Sequence, residues 1–130
     1  MTYIVWEDRY NIGVKEMDEQ HKLFISYVNE LYNAVQSGKA ETIVVPMLDK
    51  LTDYIQLHFA AEEELLKSIN YPDIETEKSQ HAYFVSEILL LKSSYLNKTQ
   101  TAQNMLLFLK EWFLYHIMNE DLKIAEFIEA

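Results

Sequence analysis

A chain of 130 residues with only two glycines and two prolines has few places to turn. An all-β fold needs many tight turns, and phosphate-cradling loops need several glycines, so neither suits this chain. The interruptions fall at three points. At Ser37-Gly38-Lys39, glycine suits the position just past a helix end, and a cation suits the last turn. At Asn70-Tyr71-Pro72-Asp73, the residue before proline is pushed out of the α region. At Asn97-Lys98-Thr99, Thr99 or Thr101 is the expected N-cap of the next helix.

The pieces between these breaks are long, and each repeats its apolar residues with helical period. The first carries His21, Phe24, Ile25, Val28, Leu31, Tyr32 and Val35 on one face. The second carries Val44, Met47, Leu48, Leu51, Ile55, His58, Glu62, Leu65 and Leu66. The third steps through Ile74, Glu77, His81, Phe84, Ile88, Leu91 and Tyr95. The fourth carries Met105, Phe108, Leu109, Trp112, Phe113 and His116. Pro46 predicts a second helix that either starts near Val45 or bends at the proline. Residues 1–17 precede the first helix, and Tyr3, Trp6 and Tyr10 predict an arm that packs on the bundle. The expected fold is all-α: an up-down-up-down four-helix bundle with an N-terminal arm, one domain over residues 1–130. At 49% hydrophobic residues, such a domain fills its core without disulfides.

The apolar stripes contain residues that are costly to bury. All four histidines of the chain, His21, His58, His81 and His116, fall on them, and so do Glu62 and Glu77. One such histidine is ordinarily a hydrogen-bonded core residue. Four of them, with carboxylates at i+4 (His58/Glu62) and i−4 (Glu77/His81), are a different matter. The i, i+4 spacing stacks two side chains on one helix face, so both reach the same level of the bundle axis. Unpaired buried carboxylates cost several kcal/mol, and a shared metal centre removes that cost. The donors are imidazole and carboxylate without thiolate, because the chain has no cysteine. That set suits iron, manganese or zinc, and excludes iron–sulfur clusters and thiol catalysis. Six or seven converging donors exceed the four of a structural zinc and fit two metals. The ferritin-like arrangement is excluded, since no Glu-x-x-His pair occurs.

With these residues in order, the chain resembles the hemerythrins, specifically the single-domain bacteriohemerythrins. The likeness runs from Trp6 through Asp18-Glu19-Gln20-His21 and His58-Phe59-x-x-Glu62-Glu63. It continues through Tyr71-Pro72 and His81-x-x-Phe84, and ends in Trp112-x-x-x-His116-Ile117-x-x-x-Asp121. The resemblance implies a non-haem pair of iron ions with an oxo or hydroxo bridge. His21 and His58 would hold one iron, and His81 and His116 the other, with Glu62 and Asp121 bridging. It implies O2 binding at the iron with fewer ligands. Manganese or a mixed metal pair is the alternative filling. Asp121 follows His116 by five residues, which leaves it off the histidine face of an ideal α-helix. It reaches the centre only if the helix ends, tightens or bulges near Met118–Glu120.

One position departs from the family. Where the third helix of hemerythrins carries His-x-x-x-His, this chain has Glu77 before His81. Glu77 lies in register with Ile74, His81, Phe84 and Ile88, so it is expected to point inward as a ligand. A carboxylate in place of imidazole lowers the charge of the centre and favours oxidised metal. Phe59, Trp112, Phe113 and Ile117 are expected to form a dry pocket for O2.

The leading function is therefore oxygen carriage, storage or delivery. The alternatives are a di-iron peroxidase or oxidase that consumes O2 or peroxide, and a sensor of O2, NO or redox state. The expected partner is a small diatomic or peroxide ligand. The net charge of −10 argues against nucleic acid and anionic lipid. With no apolar run of spanning length, a cytoplasmic location is expected.

Overall fold

The computed structural model of the chain describes residues 3–93 and 97–129. Helix α1 spans Lys15–Gln36, α2 Ala40–Ser68, α3 Ile74–Lys92 and α4 Lys98–Trp112. A π-helical segment, Phe113–Asp121, continues α4 without a break and leads into α5, Leu122–Glu129. No strand occurs among the described residues. The expected four-helix bundle is the fold found. α1 packs on α2 and α4, α2 packs on α3 and α4, and α3 touches α4 only lightly.

Two of the breaks have the same physical form. After α1, Gly38 takes a left-handed conformation (φ 72°). The Lys39 N–H bonds the Ala34 carbonyl at 2.8 Å, and the Gly38 N–H bonds that of Val35 at 3.2 Å. After α2, Asn70 does the same (φ 57°). There Tyr71 N–H bonds Leu66 O at 2.9 Å and Asn70 N–H bonds Lys67 O at 3.2 Å. This is the Schellman ending, which satisfies the last carbonyls and turns the chain sharply. Short turns of this kind set α1, α2 and α3 antiparallel.

Three expectations about boundaries are corrected. α1 begins at Lys15, inside the stretch assigned to the arm. α2 begins at Ala40, so Pro46 lies within the helix and the alternative of a start near Val45 falls. Pro46 is the seventh residue of α2, so it removes the bond to the Thr42 carbonyl four residues back and its ring crowds that carbonyl. The cap of α4 is Asn97, not Thr99 or Thr101: its Oδ1 accepts from the Gln100 N–H at 3.0 Å. Thr101 instead donates its hydroxyl to the Asn97 carbonyl at 3.0 Å. Tyr95, assigned to the α3 stripe, lies outside the described residues.

The arm packs as expected. Asn29 of α1 accepts from the N–H groups of Tyr3 and Ile4 at 2.9 and 2.8 Å and donates to the Ile4 carbonyl at 2.8 Å. Tyr3 stacks on Tyr32, and Tyr10 meets Phe113 edge-on. Asp18 anchors the end of the arm by accepting from the Ile12 N–H at 2.7 Å.

Two apolar clusters fill the interior. The larger holds Phe24, Val28, Leu51, Phe84, Met105 and Leu109 with their neighbours. The smaller holds Ile12, Met17, Leu66, Tyr71 and Ile124. Along each helix a polar layer falls between them: His21 between Met17 and Phe24, Glu62 between Phe59 and Leu66, Asp121 between Trp112 and Ile124. Among the described residues, no helix is long and apolar enough to cross a membrane.

Candidate metal centre

The polar layer holds all seven residues singled out in the sequence. His21, His58, Glu62, Glu77, His81, His116 and Asp121 are all buried, with Glu62 and Asp121 at 0% exposure and Glu77 at 1%. Their donor atoms form two groups, each able to hold a metal ion. One is His21, His58, Glu62 and Asp121; the other is Glu62, Glu77, His81 and His116. Within each group the atoms lie within 4.8 Å of one another.

The two shared carboxylates are split between the groups, oxygen by oxygen. Glu62 Oε2 faces His21 Nε2 at 3.7 Å and His58 Nε2 at 3.4 Å. Glu62 Oε1 faces His81 Nε2 at 3.0 Å and His116 Nε2 at 3.6 Å. Asp121 Oδ2 lies 3.1 Å from His21 Nε2, and its Oδ1 lies 3.1 Å from His116 Nε2. Glu77 belongs to one side alone, with Oε2 at 3.7 Å from His81 Nε2 and 3.5 Å from His116 Nε2. It points inward, as its register predicts.

Of the three ways the sequence left open for Asp121, an ending, a tightening or a bulge, the structure shows a widened, π-helical segment. In a π-helix the bond runs i→i+5, so residues five apart come into line. The π-helical segment contains both His116 and Asp121 and places both on the buried side.

A second set of residues holds the imidazoles, and sequence reasoning gave these no role. The Nδ1 of His58 meets Gln20 Oε1 at 2.6 Å, and that of His116 meets Gln80 Oε1 at 2.5 Å. The Nδ1 of His81 meets Glu63 Oε2 at 2.8 Å. An acceptor at Nδ1 places the proton there and leaves the Nε2 lone pair aimed at the centre, as metal-bound histidines require. The layout has an approximate two-fold repeat. In α1 and again in α3 a Gln-His pair (Gln20-His21, Gln80-His81) supplies one imidazole and steadies another on the following helical segment. That recurring dipeptide was the available signal.

Aromatic rings cover the imidazole faces. Phe59 stacks on His81 at 3.9 Å, Trp112 on His116 at 4.1 Å and Tyr54 on His58 at 5.2 Å between centroids. Of the residues expected to form the pocket, Phe59 and Trp112 thus touch ligand candidates. Phe113 and Ile117 are buried in the same apolar cluster. A crevice of about 190 Å³ between α3 and α4, lined by Gln80, Tyr83, Phe108, Trp112, Tyr115 and others, reaches His116.

The electrostatics are those of a centre short of positive charge. Burial works to raise Glu62, yet the four surrounding imidazoles hold it well below the ordinary carboxylate range. Burial works to lower His21, but Asp121 and Glu62 hold it up at about 9. His116 is likewise raised against burial by Asp121 and Glu62, while burial lowers His58. Burial, reinforced by the negative charge of Asp121, pushes Glu77 up to about 10.

The donor set suits a metal pair on its own chemistry. His21 Nε2, Glu62 Oε2, His116 Nε2, both oxygens of Glu77 and both of Asp121 are buried without a hydrogen-bond partner. So many orphaned donors and acceptors in one dry layer are costly unless something binds them. Nitrogen and oxygen donors without sulfur match iron, manganese or zinc.

Fold and site together define a class: helical-bundle proteins with a buried imidazole–carboxylate centre able to bind metal. The family model described as the hemerythrin HHE cation binding domain matches residues 12–128. A protein named bacteriohemerythrin from Stenotrophomonas maltophilia is 29% identical over 130 residues, which is 100% of this chain and 84% of that protein. One of the same name from Pseudomonas aeruginosa is 29% identical over 100% of this chain and 82% of its own length. A hemerythrin-like protein from Naegleria gruberi is 31% identical over 118 residues, 91% of this chain and 87% of that protein. The chain belongs to the hemerythrin family.

Proposed function

We propose that this chain binds two iron ions in the polar layer and takes up O2 there. His21 and His58 would hold one ion, His81, His116 and Glu77 would hold the other, and Glu62 and Asp121 would offer an oxygen to each. The observation that carries the reading is the division of Glu62 and Asp121, each with one oxygen toward each histidine group. When bound, the ferrous pair supplies the electrons that O2 binding needs.

The chain's own residues do the rest. Gln20, Gln80 and Glu63 fix the imidazole tautomers. Phe59 and Trp112 cover the imidazoles and keep water away. With Glu62 and Asp121 shared between the groups, Glu77 faces only His81 and His116, so an ion held by His21 and His58 would have one protein donor fewer and room for a small ligand.

The test is anaerobic loading with ferrous iron, iron analysis, and exposure to O2. Two irons per chain and a visible absorption band that disappears under vacuum support carriage or storage. A chain that retains no iron refutes the reading.

Glu77 favours a second reading, in which O2 or peroxide is consumed. With three carboxylates and one hydroxide, a ferrous pair is neutral, and a neutral buried centre holds oxidised iron more firmly than a cationic one. In that case O2 exposure gives the ferric form directly, and peroxide with a reductant turns over. Glu77→His then slows this oxidation.

A further inference from the structure

On the outside of the bundle, α2 and α3 enclose a groove of about 660 Å³. Small-molecule sites span roughly 300–1,000 Å³. The floor is buried and apolar, made by Ile55 and Phe59 of α2 and Ile88 of α3. The rim is apolar too: Val85 is exposed, and Leu89 is 60% exposed. Ala60 and Ala82 face each other across the two helices, and their short side chains leave the groove wide.

The groove is long, and its ends differ in charge. Glu63 meets His81 at one end, with Lys78 beside them. Thr52 and Lys92 lie three turns further along their antiparallel helices, at the other end. Lys78 and Lys92 are thereby about 21 Å apart along α3. Glu63 is the one carboxylate among the described lining residues, and Lys78 also faces Glu75 at 4.0 Å. No acid lines the Lys92 end. The slot thus has an apolar middle, a cation at one end and a carboxylate at the other.

We propose that this groove binds a free fatty acid, one per chain, with the carboxylate at Lys92 and the acyl tail running along Leu89, Val85 and Ile55 toward Phe59. The reading stands on the groove alone and is independent of the metal centre. Each methylene that the tail removes from water favours binding, and the tail covers Leu89 and Val85. The charges set the direction, because Lys92 attracts the head group and Glu63 repels it. A second copy of this chain fits less well, since each copy brings a net charge of −10.

The experiment is isothermal titration calorimetry of the full chain, as purified, with monomeric dodecanoate. Dodecyltrimethylammonium serves as the probe of reversed charge. Light scattering and cosedimentation with phosphatidylcholine vesicles accompany it. The expected result is saturable binding of one dodecanoate per chain, with the ammonium probe weaker by about tenfold or more. Lys92→Glu should weaken dodecanoate about tenfold, while Lys78→Gln should change it less than about threefold. Val85→Asp, at an exposed position, should abolish binding with far-ultraviolet circular dichroism unchanged. Absence of saturable dodecanoate binding overturns the proposal. Equal affinity for both probes, or full affinity in folded Lys92→Glu, does the same. Vesicle binding without dodecanoate binding overturns it in favour of a membrane surface. A wild-type dimer that Val85→Asp makes monomeric overturns it in favour of a second copy of the chain.

Discussion

Asp121 Oδ1 lies 3.1 Å from His116 Nε2, five residues earlier in the same helical segment. The π-helical turn makes that approach, and it gives Asp121 a second oxygen for His21 on α1. One carboxylate thus ties the π-helical segment to α1. Asp121→Asn keeps the shape and removes the charge. Iron analysis after ferrous loading should show the content fall from two per chain to one or fewer, with far-ultraviolet circular dichroism unchanged. Full loading of the variant would remove Asp121 from the centre.

Gln80 touches no proposed metal, but its Oε1 holds the Nδ1 of His116. Gln80→Ala frees that ring to turn and to change tautomer. Metal affinity, measured by competition with a chromophoric chelator, should fall roughly 10–100-fold. An affinity within a factor of two would make the contact incidental.

The chelator-treated protein should become less stable as pH rises from about neutral. Glu77 is raised from 4.5 to about 10 by burial and by Asp121, so across that window the folded chain holds a proton that the unfolded chain has released. His21 is raised from 6.5 to about 9 and acts the same way above pH 6.5. Both favour folding at lower pH, and that stability is lost as pH climbs through the raised values. His58, lowered by burial, exerts its opposite effect at the acid end of this range. Urea midpoints should therefore fall between pH 7.5 and about 9, and a flat or rising profile would contradict this linkage.

Phe84 is fully buried where α3 meets the core, and its ring contacts those of Phe24, Phe59, Phe108 and Trp112. Phe84→Ala removes the ring at the meeting point of four helices. Chemical denaturation should report a loss of about 3–5 kcal/mol. A loss below about 1 kcal/mol would mean the site collapses freely around the missing ring.

The fold and the inward placement of six of the seven site residues were legible because burial writes itself into helical period. His21, His58, Glu62, Glu77, His81 and His116 share stripes with Phe24, Leu51 and Phe84, and a polar residue on such a stripe has to face inward. Asp121 was legible only as a condition, since its distance from His116 demands a bulge and no residue between them announces one. The helix starts were harder. Pro46 reads as a boundary, yet α2 starts at Ala40 and runs through it despite the lost bond and the crowding that an interior proline brings. Asn97 outcompeted the threonines because its side chain reaches the Gln100 N–H directly. Gln20, Gln80 and Glu63 escaped notice as supports because they act from the rims of their helices, where glutamine and glutamate are ordinary surface residues. Their role depends on which imidazole a neighbouring helix brings alongside, and period within one helix carries no such information.

If two irons lie side by side between the histidine groups, anomalous scattering at the iron edge from crystals of the loaded protein will locate them. The expected result is two peaks roughly 3.5–4 Å apart, one beside His21 and His58 and one beside His81, His116 and Glu77, with Glu62 and Asp121 reaching both. A single peak, or iron bound outside the polar layer, would contradict it.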